Sequence, residues 1–97
     1  MAKGHIQTPI EQAIDTSTWT AVALGTSQAC SEFKAKARAK NSWKMSDDSA
    51  GTTYWTVWGG DAIGIALRAP KTATTGAVLF YAQAVGIDDT LEVIITR

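Results

Sequence analysis

The chain is poor in the residues that most often carry chemistry. It has one cysteine, Cys30, and one histidine, His5. A single cysteine excludes an internal disulfide framework. A lone histidine cannot supply a His-rich metal site, and it completes a nucleophile–base pair with Cys30 only if the fold brings the two together. No excess of either charge is present: nine Lys and Arg balance nine Asp and Glu. Such a chain lacks the basic surplus that general nucleic-acid binding requires. No apolar run approaches the roughly 18 residues of a membrane span. The opening Met1-Ala2-Lys3-Gly4-His5 leads into no apolar signal region. Large apolar side chains are also scarce, because sixteen of the residues in the 45% hydrophobic class are Ala. Ninety-seven residues with so thin a core predict one β-rich domain over 1–97, with an extended N-terminal segment over 1–14, that gains from association.

What the chain does have is alternation. Glu32-Phe33-Lys34-Ala35-Lys36-Ala37-Arg38-Ala39-Lys40 places every charge on one face and every apolar residue on the other. That is the pattern of a strand with one wet and one dry face. Ala, Lys, Glu and Arg are also good helix formers, and Cys30, Phe33 and Ala37 would align on a helix. The unbroken alternation favours the strand. Further strands are predicted at Trp19–Leu24, Ser42–Met45, Thr52–Trp58, Ile63–Leu67, Ala77–Ala84 and Leu91–Thr96. Ile6–Ile14 adds an edge strand, where Pro9 is tolerated. Turns are predicted at Ser46–Gly51, Gly59-Gly60-Asp61, Ala69-Pro70-Lys71 and Gly86-Ile87-Asp88-Asp89. The expected fold is all-β, an antiparallel sandwich or jelly-roll-like arrangement of seven to eight short strands.

Few residues stand out as functional. His5 reads as a solvated residue and Cys30 as a small buried apolar one. Asp47-Asp48 and Asp88-Asp89 read as turn formers, since the first pair does not fit calcium-loop spacing. Lys34, Lys36 and Arg38 form a basic face near Trp43, suited to docking on an acidic surface such as the Asp88, Asp89 and Glu92 region of another subunit. Trp55 and Trp58 lie three apart on one predicted strand and so point to opposite faces. At least one is expected in the core, and the other at an interface or against a sugar. The candidate interface is therefore Lys34, Lys36, Arg38, Trp43, Trp55 and Trp58. No cofactor, no metal and no catalytic residue is expected.

Three segments carry a resemblance. They are Asp48-Ser49-Ala50-Gly51-Thr52-Thr53-Tyr54-Trp55-Thr56-Val57-Trp58-Gly59-Gly60, then Val78-Leu79-Phe80-Tyr81-Ala82-Gln83-Ala84, then Asp89-Thr90-Leu91-Glu92-Val93-Ile94-Ile95. In this order they resemble small structural proteins of tailed bacteriophages, in particular capsid decoration and other head-associated proteins. The resemblance covers the chain from about Trp19 onward, through β-strand patterns that hold no fixed chemistry. The basic strand, Trp43 and the Trp55/Trp58 pair are not features that it explains.

The resemblance implies a non-enzymatic virion protein, assembled in the host cytoplasm, that binds the major capsid protein on the outer head and stabilises it. It also implies a homo-oligomer, with a trimer favoured by analogy. The alternative is a carbohydrate- or receptor-binding module of a phage fibre or tail, stacking through Trp43, Trp55 or Trp58. A small hydrolase is a third class, for which no nucleophile–base pair is visible.

Overall fold

The computed structural model describes residues 9–23, 28–73 and 78–96. Eight strands form: β1 Ile10–Ile14, β2 Thr20–Ala23, β3 Gln28–Ala37, β4 Trp43–Ser46, β5 Trp55–Val57, β6 Ala62–Ala73, β7 Val78–Ala84 and β8 Asp89–Thr96. They build two four-stranded sheets, ordered β1-β8-β3-β6 and β2-β7-β4-β5. All pairings are antiparallel. The all-β sandwich read from the sequence is the observed architecture. Only β4 and β5 follow one another within a sheet; every other successive pair of strands lies in opposite sheets.

The alternation over Glu32–Ala37 is that of a strand and not of a helix. Phe33, Ala35 and Ala37 are buried, while Lys34 and Lys36 are exposed. The strand ends earlier than its charge pattern suggested. Arg38 and Ala39 form a turn, in which Lys40 N donates to Ala37 O at 3.1 Å and Lys40 has φ 65°. At the other end of the chain β8 lies between β1 and β3. Its Leu91, Val93 and Ile95 are fully buried, and Ile94 faces out. The expected edge strand near Pro9 is β1, at the rim of the first sheet. Residues 6–8 of that expectation, with Leu24, Ala77 and His5, lie outside the described residues.

The strands are not uniformly short. Ala69-Pro70-Lys71, read as a turn, belongs to the twelve-residue β6. Proline is tolerated there because the register between β3 and β6 breaks: Cys30 faces Lys71, whereas Glu32 faces Ala66. Pro70 falls near this irregularity on an edge strand, both of them places where a sheet tolerates proline. In the other direction, Thr52-Thr53-Tyr54 was expected within a strand but precedes β5, which has only three residues.

The two sheets meet through aromatic side chains. Phe33 of the first sheet stacks on Phe80 of the second, with centroids 5.2 Å apart and planes at 16°. Trp43 packs beside Phe80 at 5.9 Å. Ile14, Val22, Val57, Ala82 and Ala84 complete the layer with the β8 side chains.

One polar residue ties a turn to the sandwich. Asp89, read from the sequence as a plain turn former, accepts hydrogen bonds from Ala39 N, Asn41 N, Asn41 Nδ2 and Thr90 N, at 2.7–3.2 Å. It thereby clamps the β3–β4 turn to the start of β8. Partial burial opposes its ionisation, but these donors together outweigh burial and hold its carboxyl below the usual 3.8. Its contribution is present above the usual carboxylate value and is lost as pH falls through the lowered one. Asp89→Asn is therefore expected to lower the urea midpoint clearly at pH 7. As pH falls from the usual carboxylate value to about pH 2, the difference between the two proteins should shrink. Equal losses at both pH values would show that the charge is not what matters.

Candidate functional site

The basic face carries its own acids. On the outer face of the first sheet, register sets Lys36 opposite Glu92 and Glu92 opposite Glu11. Lys36 Nζ lies 3.8 Å from Glu92 Oε1. Arg38 reaches Glu11 Oε2 at 2.6 Å and Glu92 Oε2 at 3.0 Å. The hydrogen bond to Glu92 and the field of Glu11 raise the Arg38 pKa above its usual value. From its sequence this face is expected to meet acids of another subunit. The structure instead pairs it with Glu92 and Glu11 of the same chain, because β8 and β1 lie beside β3. These pairs are exposed, so solvent and salt weaken them. Lys34 belongs to none of the three ion pairs, and its stem lies over Gly64.

The tryptophans divide differently from expectation. Trp43, a candidate interface residue, is 1% exposed and belongs to the core. It lies on β4, an interior strand of the second sheet, with Ala84 on one side and Val57 on the other. It is closed to any sugar or partner. Trp55 and Trp58 were expected to send at least one ring into the core. Neither is buried: they are 69% and 66% exposed. Val57 occupies the core position instead. Trp58 lies just past the end of β5, where Asp61 N donates to Trp58 O across the Gly59-Gly60 turn. Gly59 N is held by Ser42 Oγ at 2.8 Å.

Trp55 shares the inward face of β5 with Val57, yet it is open because β5 is the edge of its sheet. Two grooves meet at its ring. One, of about 370 Å³, runs past Phe33, Met45, Leu79 and Phe80 at the end of the sandwich. The other passes Val57, Trp58, Ala62 and Ile63, between the edge strands β5 and β6. The side of the sandwich where these two edges meet is thus mainly apolar, aromatic and uncovered, with Asp47 and Asp61 also in the lining.

A second aromatic group was not read from the sequence. On the outer face of the second sheet, Lys44 Nζ sits 4.7 Å from the Tyr54 ring centroid and 5.7 Å from that of Trp19. The two rings are 6.0 Å apart and tilted by 43°. The available signal was parity: the neighbours of a buried Trp43 on a strand must face outward. The proximity of Trp19 and Tyr54 had no such signal, since it depends on β2, β4 and β5 sharing one sheet.

Together these features define a small antiparallel β-sandwich with one uncovered aromatic side and a separate aromatic–lysine cluster. Among the described residues no group of three or more His, Cys, Asp or Glu comes together. No family model, curated protein or solved structure matches the chain.

Proposed function

We propose that this protein is a non-enzymatic structural protein that docks on a protein lattice, as a capsid decoration protein of a tailed phage does on the outer head. The observation that carries the reading is the pair of exposed tryptophans on the open β5/β6 side. Two large rings beside uncovered grooves are the composition of an interface core and not of ordinary solvent-facing surface. The order of the Asp48–Gly60, Val78–Ala84 and Asp89–Ile95 segments supplies the phage lattice as the partner. Self-association belongs to the same proposal, with a trimer as the resemblance implies.

Mechanistically, a module of this kind stabilises a shell by mass action. It binds the closed lattice better than the loosened one, and so shifts the equilibrium towards closure. Lys34, Lys36 and Arg38 contribute less to docking than Trp55 and Trp58, because Glu11 and Glu92 already answer two of the three.

The test is co-sedimentation with purified phage heads. Trp55→Ser with Trp58→Ser is expected to leave the melting temperature nearly unchanged, since both rings are exposed, and to weaken attachment at least about a hundredfold, as for two interface anchors. Attachment that survives the double change would reject the open side as the docking surface. Light scattering on the free protein tests the trimer; a monomer at all concentrations would remove it.

A further inference from the structure

We propose that the outer face of the second sheet holds a separate binding site for an acidic sugar, built from Trp19, Tyr54 and Lys44. Register places Lys44 between Gln83 and Thr56 on this face. Its ammonium rests on two aromatic rings and belongs to none of the three ion pairs among the described residues. An ammonium on ring faces has its charge held in place while its N–H donors still need acceptors. A ligand carboxylate supplies them, through the stronger charge-assisted hydrogen bond.

The walls are built in advance of any ligand. Trp19 lies directly against Gly51, where a Cβ would overlap the indole, and Gly51 has φ 63°. The Gly51 turn is fixed in turn by Asp48, whose carboxylate accepts from Ala50 N at 2.9 Å and Thr52 N at 3.2 Å. Ser46 Oγ donates to Thr53 O at 2.7 Å and anchors the segment that leads into Tyr54. Tyr54 itself is 54% exposed and so presents its ring to solvent.

The ligand class follows from this set. The exposed Tyr54 ring, with half-buried Trp19 beside it, suits the C–H face of a pyranose, and a neutral amide such as Gln83 suits its hydroxyls. A single cation matches one carboxylate per sugar and not the dense charge of a nucleic-acid backbone, for which a neutral chain is poorly equipped. An oligosaccharide of uronic acid meets these requirements. The site faces away from the sandwich interior that Trp55 borders, so it stands or falls independently of lattice docking.

The probe is an oligogalacturonate, with its methyl ester as the uncharged control on the same ring. Amide shifts in a two-dimensional NMR titration read the site. Saturable shifts are expected at Thr20, Lys44, Tyr54 and Gln83 with the acid, and at least about tenfold weaker binding, equivalent to about 1.4 kcal/mol, with the ester. Lys44→Gln and Tyr54→Ala should each lose about as much, with Lys44→Arg retaining binding. Both side chains lie on the surface, and thermal melting checks that the variants stay folded. Equal affinity for acid and ester, binding undiminished in Lys44→Gln, shifts that map elsewhere, or no saturable shift up to about 10 mM would each overturn the proposal.

Discussion

Removal of residues 91–97 is expected to abolish cooperative folding. β8 is bracketed by β1 and β3, so its loss strips two ladders from the first sheet at once. Leu91, Val93 and Ile95 are each 0% exposed. Burying a side chain of this size contributes about 1.5–3 kcal/mol. Three of them therefore approach the whole net stability of a small domain, about 5–15 kcal/mol. Truncating Val93 or Ile95 singly to Ala should cost about 2–4 kcal/mol, and Ile94→Ala much less, because Ile94 faces out. Circular dichroism and urea melts check the series. A deletion protein that is soluble and melts cooperatively would contradict the central place of β8.

Trp43→Ala should cost about 3–5 kcal/mol, a fall of roughly 4–8 °C in Tm for each kcal/mol. The ring lies in the core beside Phe80, with Val57 as its partner across the ladder, so its removal leaves a large cavity. Trp43→Phe is the informative contrast. Trp43 Nε1 is buried and has no hydrogen-bond partner among the described residues. An unsatisfied buried donor costs about 1–3 kcal/mol. Phenylalanine removes that donor while keeping a ring beside Phe80, so the relief offsets much of the lost volume. The expected net cost is below about 1.5 kcal/mol, combining these two opposing effects. A Trp43→Phe protein as unstable as Trp43→Ala would show that the ring's full size outweighs the unpaired N–H.

The four tryptophans sort by sheet order and not by strand face alone. Composition marked them as notable, and period-2 counting put Trp55 and Trp58 on opposite faces of one strand. Both turn out exposed and Trp43 turns out buried, for a reason outside any local window. β4 is covered on both sides by β7 and β5, whereas β5 ends its sheet. Burial depends on a residue's place in the sheet order as well as on the face it occupies, and alternation encodes only the face. The basic face repeats the point. Its exposure was legible over Glu32–Ala37, but its acid partner Glu92 lies 54 residues from Arg38 in the chain. The outer cluster of Trp19, Tyr54 and Lys44 was illegible for the same cause.

Local pattern favoured the strand class of β3 and β8 and picked out the inward residues Phe33, Ala35, Ala37, Leu91, Val93 and Ile95, with the turns around Gly60 and Gly86. Each follows from period-2 sterics or from backbone freedom within a few neighbouring residues. The tertiary structure alone decided which strands are edges, which tryptophan fills the core, which acids meet Lys36 and Arg38, and that Asp89 clamps a turn. Those outcomes come from strand pairings between segments far apart in the chain. Because successive strands here alternate between sheets, with β4 and β5 the exception, most strand neighbours in space are distant in sequence.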